Sequence, residues 1–264
     1  VGGLWWHINK VLMHLGYAED KGYIPVVDMQ NYESQYQKGE NLGKENVWEI
    51  FFKQPAGYSL KDIDNSKNII IGRKLPCPDM KYFMGQSPFY DDEDRINYFH
   101  NLFKKYIIFN ERTENYLNDV YNKMFKGKGK IVGVLCRGTD YVLKKPKNHP
   151  IQPNPLDVIS DVKDVMKKYK CDFVFVATED LDILEIFKQE FGEKLLYVEQ
   201  TRVSKKEMNN STYLSSVNME KNKGKEIFDI GIEYFSATYL LSRCNCYIAG
   251  RTGELFNLID TMSY

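Results

Sequence analysis

An α/β fold with parallel sheets is what the order of segments in this chain predicts, and three observations carry the prediction. From residue 131 onward, short apolar runs alternate with amphipathic stretches of ten or more residues, the pattern of βαβ units. Runs such as 131–136 and 173–177 lack the in-out alternation of a half-wetted strand, so both faces of their sheet are expected to be covered. The first half opens similarly, with two glycines, an amphipathic helix and an apolar run. Two Rossmann-like domains follow, 1–127 and 128–264, divided at Gly127-Lys128-Gly129-Lys130, a small and charged stretch. With 264 residues, each half is long enough to bury a core.

In chain order, Leu4, Ile8, Val11, Leu12, Leu15 and Ala18 recur at three- and four-residue intervals, which predicts a helix over 4–21 that ends at Gly22. The chain begins with Val1, and a glycine turn with a helix directly behind it leads us to expect that the domain's first strand is missing. Ile24-Pro25-Val26-Val27-Asp28-Met29 predicts a strand with Pro near its start, where a missing N–H is tolerated. Residues 31–67 are polar and mixed, 68–72 predict a short buried strand, and Pro76, Pro78 and Pro88 punctuate an irregular connection. Asp91-Asp92-Glu93-Asp94 places negative charge at the start of a long helix expected over 92–124, where the helix dipole favours it. The second half then predicts strands at 131–136, 173–177, 195–198 and 246–249. Helices are expected at 155–169, 181–191 and 225–243, with a further one from Gly253.

Composition narrows the function classes. Lys plus Arg and Asp plus Glu both number 36, a formal net charge of +0, which argues against a nucleic-acid partner and requires any anion site to be local. Five Cys make no even disulfide set, which fits a reduced, cytoplasmic setting. No uncharged apolar run approaches the roughly 20 residues of a membrane span, so at most peripheral membrane association is expected. Aromatic residues reach 14%, enough for stacking platforms as well as core.

Chemistry is expected where strands end. In a parallel sheet all carboxyl ends lie on one side, and ligands bind in the crevice outside them. Three loops leave the second-half strands there: Arg137-Gly138-Thr139-Asp140, Thr178-Glu179-Asp180 and Gly250-Arg251-Thr252-Gly253-Glu254. The planar guanidinium of Arg137 suits phosphate or carboxylate oxygens; alternatively Arg137 and Asp140 form a buried ion pair that fixes the turn. The third loop opens a helix whose free amides could hold a phosphate, or its glycines simply make a tight turn. Thr178 or Asp180 could equally cap the following helix. Gly2 and Gly3 could bring backbone close to a ligand, with Trp5, Trp6 and His7 directly behind. His149, in a basic loop, is a candidate for proton transfer. Walker, His-Glu-x-x-His, Cys-x-x-Cys and Gly-x-Ser-x-Gly motifs are absent from the sequence. The Asp-x-Asp pairs at 62–64, 92–94 and 180–182 suit solvation or capping better than a metal.

Val-Gly-Val-Leu-Cys-Arg-Gly-Thr-Asp, then Phe-Val-Phe-Val-Ala-Thr-Glu-Asp, then Tyr-Leu-Leu-Ser-Arg-Cys-Asn-Cys-Tyr-Ile-Ala-Gly resemble, in that order and spacing, the α1,6-fucosyltransferases and protein O-fucosyltransferases. The bacterial members found in polysaccharide gene clusters are the more similar branch. The resemblance covers the second half well and the first half only over 2–29. It implies a GT-B type architecture, two Rossmann-like domains whose parallel sheets face a cleft, with the acceptor on the N-terminal side. It also implies metal-independent, inverting transfer of a sugar from a nucleotide-sugar donor, GDP-fucose first among them, to a glycan acceptor in surface polysaccharide synthesis, with no cofactor.

By that resemblance Arg137 binds the donor diphosphate and stabilises the leaving group, as preplaced positive charge would. The donor-binding set is Gly2, Gly3, Arg137, Thr178, Asp180, Arg251, Thr252 and Gly253. The catalytic set is Arg137, Asp140, Glu179 and His149, since inversion needs a base for the acceptor hydroxyl. The chain also departs from the family pattern. The base carboxylate's place falls near Lys145, Tyr141 replaces a Lys beside Asp140, and Trp6 stands near an asparagine that often follows the glycine turn. The Asp that reads guanine aligns near Ala237. A non-catalytic nucleotide- or sugar-binding module on the same fold is the rival reading, and those departures motivate it.

Overall fold

The computed structural model describes residues 4–37, 39–74, 80–82, 92–138, 152–208 and 214–249. The chain divides into two compact units, one reaching to Tyr116 and the other starting at Leu117. The boundary falls inside a helix rather than in the glycine-lysine stretch that follows it.

In the first unit α1 (Leu4–Lys21) turns its expected face inward: Leu4, Ile8, Leu12 and Leu15 are each 2% exposed or less. Gly22 stops it at φ +67°, a left-handed conformation that costs glycine little. Two short helices follow, α2 (Val47–Phe51) and α3 (Leu60–Ile63). The segment expected as a strand at 24–29 takes no regular secondary structure, and no neighbouring backbone pairs with it among the described residues. Side chains bond it instead. Val27 N–H donates to Gln54 Oε1 at 2.9 Å, Asn46 Nδ2 donates to Val27 O at 2.9 Å, and Met29 N–H donates to Asn46 Oδ1 at 3.0 Å. The buried strand expected at 68–72 does not form either. Ile69, Ile70 and Ile71 are 56%, 50% and 41% exposed, and a backbone with no ladder partner among the described residues gains nothing from strand geometry.

The single helix expected over 92–124 is two, α4 (Glu93–Tyr106) and α5 (Glu111–Met124). Asn110 makes the break: its Nδ2 donates to the carbonyls of Glu49 and Ile50, both at 2.9 Å, while its Oδ1 accepts from Thr113 N–H at 2.9 Å. At the start of α4, Asp92 accepts from Arg95 N–H at 3.0 Å as a cap.

The second unit is a parallel sheet covered on both faces. Its strands are β1 (Ile131–Leu135), β2 (Phe173–Ala177), β3 (Leu195–Leu196) and β4 (Cys246–Ala249), in the spatial order β3-β2-β1-β4. Val134 lies opposite Val176 on one side and Ile248 on the other, and all five residues of β1 are buried. The helices between the strands are α6 (Pro155–Tyr169), α7 (Leu181–Phe191), α8 (Leu214–Lys221) and α9 (Ile227–Leu241). Val132, Val134, Val174 and Val176 pack with Val158, Val162, Ile183 and Phe187, which places α6 and α7 on one face. Ile131, Leu135, Phe175 and Ala177 pack with Ala237, Leu240 and Leu241, which places α9 on the other. The connections thus run outward from β1 to β3 on one face and return over the opposite face to β4. That makes the carboxyl edge between β1 and β4 the topological switch point, where ligands of such sheets bind. Among the described residues no helix is long and apolar enough to cross a membrane.

Candidate functional site

β1 ends at Leu135, and the next two residues carry its direction out of the core: Cys136 is buried and Arg137 half-buried. Burial, with the negative charge of Asp180 beside it, pushes the Cys136 thiol up to about 12, so it stays protonated and inert near neutral pH. Arg137 emerges beside the end of β2, where Glu179 Oε2 lies 4.0 Å from its NH2, the outer limit of an ion pair. Both side chains are largely covered, 26% and 15% exposed, in a setting where charge is screened far less than at the surface.

The loop after β2 is set by its own side chains. Thr178 Oγ1 accepts from Asp180 N–H at 3.2 Å, and Asp180 Oδ1 accepts from Asp182 and Ile183 N–H at 2.9 and 3.1 Å, capping α7. Asp180 is 1% exposed. Gly138 lies directly against it; a Cβ there would collide with Asp180 Oδ2 and Ile183, so only glycine lets the arginine loop pack onto this cap. Glu179 is also reached by Asn218 of α8, with Nδ2 3.5 Å from Oε1.

Arg202, absent from the sequence-derived site, organises the wall behind these residues. Its Nε donates to Thr178 O at 3.1 Å, NH2 to Val198 O at 2.7 Å and NH1 to Gln200 O at 3.4 Å. Burial lowers its pKa, while Glu199, Tyr197 and Glu233 act the other way. β3 ends at Leu196, two residues short of the expected strand, and the Val198 carbonyl beyond it is bonded by Arg202. An arginine six residues past a short strand carries no sequence signal that separates it from a surface cation.

Together these elements border a pocket, partly open to solvent, lined by Leu135, Cys136, Arg137, Ala177, Thr178, Glu179, Gln200, Tyr234, Ala237, Thr238 and Leu241. Its wall joins the carboxyl ends of β1 and β2, the chain after β3 and one side of α9, in accord with the expectation for a parallel sheet. Of the predicted site residues, Arg137, Thr178 and Glu179 line it, and Asp180 sits behind it as the cap. Gln200, Tyr234 and Thr238 were not foreseen as site residues. Ala237, foreseen only as the place of a missing Asp, is part of the wall. Gly2, Gly3, Asp140, His149, Arg251, Thr252 and Gly253 lie outside the described residues. Among the described residues no group of three or more His, Cys, Asp or Glu side chains could hold a metal ion.

No family model matches this chain, and no curated protein sequence matches it. Solved structures do. The α1,6-fucosyltransferase NodZ co-crystallised with GDP is 15% identical with a TM-score of 0.56, over 97% of this chain and 88% of that one. The same enzyme soaked with GDP-fucose gives 15% and 0.55, over 98% and 89%. Fucosyltransferase NodZ from Bradyrhizobium gives 15% and 0.51, over 97% and 88%. At that identity the likeness is one of fold, and it spans nearly the whole chain: this protein has the GT-B type α/β fold of the α1,6-fucosyltransferase NodZ.

Proposed function

We propose that the protein is an inverting glycosyltransferase of the fucosyltransferase type, which moves a sugar from a nucleotide diphosphate donor to a glycan acceptor. The observation that carries this reading is the position of Arg137, half-buried at the carboxyl end of β1, beside the switch point and on the wall of the pocket. A guanidinium held there before the reaction meets the charge that develops on the departing diphosphate, which is where preorganised positive charge lowers a barrier. Similarity in fold to a fucosyltransferase crystallised with GDP and soaked with GDP-fucose supports the donor class and makes GDP-fucose the first donor to try.

Within this reading the donor's diphosphate lies against Arg137 and Thr178; Gly2, Gly3, Asp180, Arg251, Thr252 and Gly253 are proposed as the further donor-binding residues. The base that takes the acceptor proton comes from Asp140, Glu179 or His149. Glu179 has the geometry of a carboxylate held by Arg137 and Asn218 at the pocket wall. The Arg137 ion pair seen in the structure runs to Glu179, so a donor diphosphate would compete with a carboxylate for the same guanidinium. Transfer proceeds without a metal, and the acceptor is a bacterial surface-glycan precursor met on the cytoplasmic side. In this reading the N-terminal domain is the acceptor side and the C-terminal domain the donor side.

Titration of GDP into the protein in EDTA, alongside turnover of GDP-, UDP- and CDP-sugars, tests the reading. Binding should persist in EDTA. Arg137→Ala should weaken GDP by at least about 30-fold, the roughly 2 kcal/mol of a charge-assisted bond, while the melting temperature stays within a few degrees. A variant that unfolds, with unchanged affinity in what remains folded, assigns Arg137 to structure and defeats the proposal. Loss of all binding in EDTA defeats the metal-free mechanism.

A further inference from the structure

We infer that Gln200 selects the donor nucleotide by offering its side-chain oxygen to an N–H of the base; the inference rests on the nucleotide-donor reading of the pocket given above. Four of the pocket's lining residues, Leu135, Ala177, Ala237 and Leu241, are apolar and offer no side-chain hydrogen bond. Of its polar side chains, Thr178 Oγ1 accepts from Asp180 N–H, Thr238 Oγ1 donates to Tyr234 O at 3.3 Å, and Arg137 and Glu179 face each other. Gln200 differs. Its Oε1 is buried and has no hydrogen-bond partner among the described residues.

An acceptor shut away from water and left unpaired costs about 1–3 kcal/mol, so one in a native pocket calls for a partner. A ligand N–H would supply it. The residue is well held for that task, because Arg202 ties the Gln200 carbonyl to those of Val198 and Thr178 and so fixes the chain after β3 against the end of β2. Arg137 and Gln200 line the same pocket, so one ligand with an anionic part and a hydrogen-bond donor on a flat ring can meet both; a nucleoside diphosphate has both. Sites built to bond a ligand N–H reject analogues lacking it, because rejection leaves the buried acceptor unpaired again.

The test separates base from phosphate. GDP, UDP and inorganic pyrophosphate are titrated into the full chain and into Gln200→Met and Gln200→Glu, and the tighter nucleotide is carried forward. Gln200→Met keeps the volume and removes the oxygen. It should weaken that nucleotide about 10-fold or more and leave pyrophosphate unchanged, since one net hydrogen bond of about 1.4 kcal/mol is a factor of ten. Gln200→Glu keeps an acceptor oxygen but adds a negative charge to the pocket of Glu179, so it should weaken pyrophosphate as well as the nucleotide, which Gln200→Met does not. Three outcomes overturn the inference: Gln200→Met binding the nucleotide as the parent does, equal weakening of nucleotide and pyrophosphate in Gln200→Met, or a parent that binds pyrophosphate and neither nucleotide. A parent that binds none of the three defeats the donor-site reading itself.

Discussion

Residues 24–29 and 131–135 look alike on paper, each a short run of Ile, Val and neighbours following a polar or glycine-marked break, yet the molecule treats them differently. Around 131–135 the backbone is paired on both sides by parallel strands, and every side chain is buried. Around 24–29 no strand forms: the hydrogen bonds of Val27 and Met29 go to the side chains of Gln54 and Asn46, and Ile24 is 64% exposed. An apolar run therefore does not specify a strand by itself, because a ladder needs a second backbone alongside. The second unit draws its stability from packing on a covered sheet. In the first unit the segment 24–29 lacks such a ladder and relies on polar side chains, Asn46 and Gln54, that each satisfy more than one backbone group.

The sharpest way to break this contrast is to hollow the sheet. Phe175 is fully buried in β2 and meets Phe125 edge-to-face, with ring centroids 5.4 Å apart. Phe175→Ala should cost about 3–5 kcal/mol, the range for deleting a buried aromatic from a core that cannot close up. Urea unfolding followed by far-UV circular dichroism measures it. A loss below about 1 kcal/mol would mean that the sheet face is not close-packed.

In the first unit the corresponding blow is polar. Asn46 is 4% exposed; it accepts from Met29 and Trp48 N–H and donates to Val27 O. Asn46→Ala should cost about 2 kcal/mol, because it strands the buried N–H groups of Met29 and Trp48 at once, while Val27 O keeps its bond from Gln54 Nε2 at 2.9 Å. All three tryptophans, Trp5, Trp6 and Trp48, lie in this unit, so tryptophan fluorescence follows it alone. Asn46→Asp keeps the acceptor and loses the donor, and should fall between. Equal stability of Asn46→Ala and the parent would sink the claim that side chains stand in for a ladder here.

The same contrast explains what could be read in the sequence. The second unit's helices at 155–169 and 181–191 and strands at 173–177 and 246–249 begin and end where caps, glycines and apolar runs place them. Local signals there agree with the tertiary partners. Asn110 breaks the expected long helix because its side chain reaches Glu49 and Ile50, some sixty residues away in sequence, and periodicity carries no trace of that. Arg137, Thr178 and Glu179 could be found because parallel topology alone puts strand ends together. Gln200 and Arg202 follow a two-residue strand, too short to mark its own carboxyl end.

The smallest effect concerns pH and again separates the units. His14 lies on the half-buried side of α1 against Gly72, and burial together with the positive charge of Lys10 lowers its pKa from the ordinary 6.5. A histidine that is harder to protonate in the folded state binds more protons when unfolded. Its contribution is therefore full above about pH 6.5 and is lost as pH falls below that value toward the lower folded pKa. Asp20, held low by its bonds to Lys81 and Tyr82, acts in the same direction but only around and below its ordinary 3.8, outside this window. The fluorescence-detected melting temperature should accordingly drop between about pH 7.5 and pH 5.5, and His14→Gln should flatten that slope. A His14→Gln profile as steep as the parent's would place the acid sensitivity elsewhere and remove His14 from the account of how this unit holds its polar groups.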